Sequence, residues 1–187
     1  MDRSNEFNKA KIMEVSTNYS VVNAVVDSFG IEKVKLRFTK YDAPKDSIDI
    51  YVDFSTMILY MNDMITGRML KQIESSPSGL QLVMGGSKSS KRLDGKPESK
   101  VLSINNGKNK KGETVYYLNA VESEGRLSET GLIIPTAANK LSVSVSMSEQ
   151  DLRELFIYIG TAIQAYMPTL VNKWLKAAEE NRMNYNK

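Results

Sequence analysis

The sequence predicts an α+β fold: two antiparallel β-sheet units, each followed by an amphipathic helix. Three stretches carry that prediction. In Leu141 to Tyr166, Leu141, Val143, Val145 and Met147 alternate with Ser142, Ser144 and Ser146, the period of a half-buried strand. At Ser148, with Asp151 three residues on as a variant capping box, this strand gives way to a helix. Leu152, Leu155, Phe156, Ile159 and Ile163 share one face of it. The plan recurs in Ile48 to Leu70, where Ile48, Ile50, Val52 and Phe54 alternate with Asp49, Tyr51 and Asp53. Asp53 or Ser55 then caps a helix whose apolar face is Met57, Ile58, Met61, Ile65 and Leu70. The third stretch, Lys33 to Lys40, alternates Val34, Leu36 and Phe38 with Lys33, Lys35, Arg37 and Thr39. A half-buried strand feeding an amphipathic helix requires the helix to pack back on the sheet.

In order, the chain reads as a single domain of 187 residues: a flexible polar arm (1–10), a first strands-plus-helix unit (11–79), a second (80–168) and a C-terminal helical extension (169–187). Lys11 to Val26 is compatible with strand or short helix, and Gly30 punctuates it. Pro44, Asp42 and Asp46 suit a hairpin loop between the strands Lys33–Lys40 and Ile48–Phe54. The first helix is expected from about Ser55 to Ile73, weakened near Gly67. Leu80 to Met84 reads as a short strand ended by Gly85-Gly86, and Ser87 to Lys100 as an exposed loop with a turn at Asp94-Gly95. Val101–Ile104, Thr114–Val121 and Gly131–Pro135 are further strands. Pro168 should stop or kink the second helix, which resumes through Trp174 (a packing anchor) to about Glu179. Leu170, Val171, Trp174 and Leu175 exceed what one small sheet needs, so a homo-oligomer formed through this helix is expected.

Composition removes whole classes of chemistry. With no cysteine there is no disulfide and no thiolate site, and with no histidine there is no imidazole base or ligand. An all-oxygen Mg²⁺ site from Asp42, Asp46, Asp49 and Asp53 remains conceivable. However, the first two lie in a turn, and the others serve better as solvent-face and cap residues. No enzymatic activity, metal, cofactor or small-molecule substrate is expected. No apolar run approaches the ~20 residues of a membrane span, and the N-terminus lacks a signal core, so a cytoplasmic protein without membrane contact is expected.

Charge is the strongest local signal. The net charge is only +3, yet Lys88, Lys91, Arg92, Lys96, Lys100, Lys108, Lys110 and Lys111 stand against just Asp94 and Glu98 within one segment. Such segregation suits a polyanionic partner, and equally a set of solvated loops. Lys33, Lys35 and Arg37 add a stripe on one strand face, with Tyr41, Tyr51, Tyr116 and Tyr117 as stacking candidates. Alternation sends only one of Tyr116 and Tyr117 outward. Asp49 and Asp53 on the neighbouring strand are positioned to neutralise the stripe instead. Gly85-Gly86-Ser87-Lys88 lacks the spacing of a phosphate-binding loop. The candidate phosphate contacts are therefore Lys35, Arg37, Lys88, Lys91, Arg92, Lys96 and Lys100. The stacking candidates are Tyr41, Tyr51 and one of Tyr116 and Tyr117.

The order of elements from Lys33 to Tyr166 resembles the Whirly fold, two PC4-type strand-and-helix units in tandem. That resemblance implies single-stranded DNA bound on the sheets and dimers or tetramers assembled through the helices. KVKLRFTKYD, IDIYVDF and KRLDGKPESKVLSI are also similar to small uncharacterised proteins of bacterial phages and conjugative elements. The expectation is a non-catalytic single-stranded DNA-binding protein of a phage or mobile element, with little sequence preference and RNA an open alternative. The competing expectation is a protein-binding inhibitor or adaptor that acts on a host protein or ribonucleoprotein.

Overall fold

The computed structural model describes residues 10–43, 46–87, 96–136, 138 and 140–185. Nearly all of the expected arm, Pro44, the Asp94-Gly95 turn and the cations Lys88, Lys91 and Arg92 lie outside the described residues.

The first sheet is antiparallel and runs in chain order: β1 (Lys11–Ser16), β2 (Ser20–Val25), β3 (Lys33–Lys40) and β4 (Ser47–Asp53). The ambiguous Lys11–Val26 segment is thus a hairpin. Its turn is held by Thr17, whose Oγ1 accepts from the Tyr19 and Ser20 amides at 3.1 and 3.0 Å. A single turn of 3-10 helix, Phe29–Ile31, links β2 to β3.

Two helices follow in place of the one expected, α1 (Phe54–Ile65) and α2 (Arg68–Ser75). Gly67, at φ 72°, takes the left-handed conformation that breaks the run. The buried stripe of α1 is Phe54, Met57, Met61 and Met64, which leaves the expected Ile65 on its flank, 56% exposed. Asp53 occupies the N-cap position of α1 but makes no capping hydrogen bond, because its carboxylate pairs with Lys33 at 2.8 Å.

The second sheet contains β5 (Leu80–Ser87), β6 (Glu98–Lys108), β7 (Thr114–Leu127), β8 (Ile133–Pro135) and β9 (Leu141–Met147). β7 pairs with β6 along one side, with β9 over Tyr116–Glu122 and with β8 over Gly125–Leu127. These strands run further than their alternation suggested. Gly85 and Gly86 continue β5 opposite Lys100 and Ser99, so Lys100 is a strand residue, not part of a loop. The second glycine is demanded sterically, since a Cβ there would sit 2.0 Å from the Glu98 carbonyl oxygen.

β9 touches each of β1 to β4, so the second sheet lies across the first. One apolar core fills the space, joining Leu36, Phe38 and Ile50 to Leu102, Leu118 and Val145. Its far wall is α3 (Glu149–Tyr185), which buries Leu152, Leu155, Phe156, Ile159 and Ile163 as its spacing predicted. The capping box forms reciprocally: the Ser148 amide donates to Asp151 Oδ2 and the Asp151 amide to Ser148 Oγ, both at 3.1 Å. α3 continues through Pro168, where a stop or kink was expected. Its last buried residue is Leu170, and 171–183 are exposed. Trp174 is half exposed, and its indole N–H donates to Glu32 Oε1 at 3.3 Å. Among the described residues, no helix is long and apolar enough to cross a membrane.

Candidate nucleic-acid interface

The antiparallel register of β3 and β4 sets Arg37 opposite Asp49, Lys35 opposite Tyr51 and Lys33 opposite Asp53. Period two then puts all six side chains on one face of the sheet. The stripe exists, and its charges are paired. Arg37 grips Asp49 through Nε and Nη2, both at 2.8 Å, and Lys33 binds Asp53. Lys35, only 7% exposed, pairs with Asp27, an acid outside the β4 register.

The Asp49 carboxyl is held below its ordinary pKa of 3.8. Burial opposes its ionisation, but the Arg37 hydrogen bonds and charge, with Lys35 and Lys100 nearby, outweigh burial. A depressed carboxyl contributes stability that is fully present above its unfolded pKa and is lost as pH falls through its folded value. Asp49→Asn should therefore flatten the acid limb of thermal stability, read from melts between pH 7 and about pH 3.

Lys100 ties the two sheets together. From β6 its Nζ meets Glu98 at 2.7 Å and Glu122 at 3.2 Å, and donates to the Asp49 main-chain carbonyl on β4 at 3.1 Å. Burial disfavours its charge, but Glu98 and Glu122 prevail and raise its pKa. Lys96 bonds both carboxylate oxygens of Glu124, at 2.9 and 3.0 Å.

The tyrosines divide sharply. Tyr116 is 1% exposed and belongs to the core, so it cannot stack on a base. Tyr117 faces the other way, half-buried beside Gly107. Tyr41 and Tyr51 are about half exposed. Tyr41 stands at the far end of β3, bonded through its amide to the carbonyl of Tyr19, which is itself widely exposed.

A cleft of about 440 Å³ opens where β4, the edge of the first sheet, faces β5, the edge of the second. Lys33, Tyr51, Asp53, Met84, Gly85 and Lys100 are among its lining residues. An added Cβ on Gly85 would meet nothing within 4 Å, so the wall there is bare main chain. Gly86 and Glu98, near the end of β5 and at the start of β6, also line the cleft. The structure thus gathers Tyr51 and Lys100 in one place, with Lys35 and Arg37 on the adjoining sheet face. It sets Tyr41 and Tyr117 apart. Met84 was not singled out from sequence, and Lys33 and Gly85 were weighed only as part of the cation stripe and of a phosphate-binding turn, because only the meeting of two sheet edges makes the three neighbours.

Among the described residues, no group of three or more acids is placed to hold a metal ion. The chain matches no protein-family model and no curated protein.

Proposed function

We propose that this chain binds single-stranded nucleic acid without catalysing a reaction, with DNA as the leading substrate. The observation that carries the reading is Tyr51. It is half exposed on a cation-bearing sheet face, at the wall of a cleft beside the ends of the strands that bracket 88–95. Exposed rings beside cations are the usual means of holding a single strand with little sequence preference. Four strands, helices, more strands and a final helix also suit the proposed Whirly-like arrangement, while the proposed origin in a phage or mobile element rests on KVKLRFTKYD, IDIYVDF and KRLDGKPESKVLSI.

The ion pairs redistribute the roles. Phosphates approaching Arg37, Lys35 or Lys100 compete with carboxylates already in place; Lys88, Lys91 and Arg92 are contacts proposed from the sequence alone. The test is fluorescence anisotropy of a labelled ~30-nucleotide strand at low and high salt. Lys91→Ala with Arg92→Ala should weaken binding at least ~10-fold at low salt and reduce the log–log salt slope by about 2. Absence of binding at low salt would sink the reading.

The same neutralised face favours a second reading, an inhibitor or adaptor that docks a protein. Free strands would then bind poorly, and a pull-down would return a protein partner or ribonucleoprotein that survives nuclease treatment.

Self-association through α3 is part of the proposal. Of the apolar residues expected to associate, Leu170 is buried in the domain, while Val171, Trp174 and Leu175 are 42–58% exposed on the part of α3 beyond it. Sedimentation at tens of micromolar should show a dimer or larger species, and a monomer there removes the claim.

A further inference from the structure

The cleft between β4 and β5 is not built to hold phosphate. Its lining carries Lys33 and Lys100 against Asp53 and Glu98, and each lysine is already paired, at 2.8 Å to Asp53 and 2.7 Å to Glu98. It is formally neutral. What it offers is main chain and flat surface. The Phe54 amide donates to the Glu32 carbonyl at 3.1 Å, which places the even-numbered residues of β4 in the hydrogen-bonded register with β3. The N–H and C=O groups of Asp49, Tyr51 and Asp53 therefore point away from β3. The Lys100 bond to the Asp49 carbonyl confirms that direction. Across from them, Gly85 presents a surface with no side chain, and Tyr51 contributes a half-exposed ring. The volume lies within the range of small-ligand sites.

We infer that this cleft receives one nucleobase turned out of the bound strand, its face against the Tyr51 ring and the Gly85 main chain, and its polar edge on the outward N–H and C=O of Tyr51. A strand residue shows a donor and an acceptor side by side, and each nucleobase has an edge with that pairing. Phosphates stay outside, clear of Asp53 and Glu98. The inference rests on the nucleic-acid reading above and assigns the place where a base, as distinct from the backbone, is held.

Gly85→Val is the decisive variant, because a side chain there enters open space without disturbing the fold, and valine suits a strand. Its circular dichroism should match the wild type. Binding of a ~30-nucleotide strand should weaken about 10-fold with an unchanged salt slope, the signature of lost stacking with phosphate contacts intact. Tyr51→Ala should do the same. A strand of abasic sites should bind the wild type and Gly85→Val equally. Free nucleosides should displace the strand at high concentration, and deoxyribose phosphate should not. If the wild type binds strands and Gly85→Val binds them as tightly, the base cleft is overturned while the nucleic-acid reading stands. Displacement by deoxyribose phosphate but not by nucleosides overturns it as well. If the wild type binds no strand at all, both fall together.

Discussion

Phe156→Ala should lower the free energy of unfolding by about 3–5 kcal/mol, measured by urea denaturation. Phe156 is fully buried on α3 and meets Tyr60 of α1 edge to face, with ring centroids 6.1 Å apart and planes at 89°. Tyr60 in turn donates its hydroxyl to the Leu82 carbonyl of β5. Truncation removes the buried ring, leaves a cavity that a helix-to-sheet wall cannot close, and takes the support from under Tyr60. The loss should therefore reach β5, the strand that lines the cleft, more than β9 on the far side of the sheet. Amide exchange should accelerate in Leu80–Ser87 before it does in Leu141–Met147. A loss under about 1 kcal/mol would contradict this account of the core.

Gly160→Leu should cost about 3 kcal/mol, although the same change on an exposed helix would gain about 1 kcal/mol in helix propensity. The sign reverses because α3 crosses α1 at this glycine. A Cβ on Gly160 would lie 2.2 Å from Met61 Sδ and 2.9 Å from Met61 Cβ. Overlap with a Cβ cannot be relieved by swinging the end of a flexible side chain, so the helices must separate. Adding Met61→Ala should return part of the loss, making the pair strongly non-additive. Additive costs would mean that the two helices do not touch here.

Where alternation alone decides structure, the sequence was a good guide. β3, β4 and β9 lie where their period-two patterns put them, and the Ser148 cap and the buried stripe of α3 follow directly from spacing. Most of the misreadings come from contacts between residues distant in the chain. Gly86 looks like a breaker, yet it is the residue that lets β5 lie against Glu98 and Ile133. Ile65 fits one reading of the helical face, but the core lies over the neighbouring stripe through Met57, Met61 and Met64. Asp49 and Asp53 were legible as partners for the cation stripe because they sit in register on the next strand. Asp27, which neutralises Lys35, was not legible because it lies past the end of β2. Lys100 reads as one of eight clustered cations, while Glu122, from a strand paired only in three dimensions, makes it a strut. Pro168 reads as a stop, since it lacks the N–H that would bond the Gln164 carbonyl. At an exposed position water can satisfy that carbonyl, and α3 runs on.

That last feature gives the C-terminus an adjustable reach. The packed part of α3 supplies the costly helical nucleus, so residues 171–183 need only propagate it. With one hydrogen-bond donor missing at the junction and only the Trp174–Glu32 bond tying it to the domain, this tail should fray more readily than the packed part of α3. Wound, it spans about 20 Å; drawn out, about 45 Å. The reach of this segment is therefore set by its helicity, and so by temperature and helix-stabilising solutes.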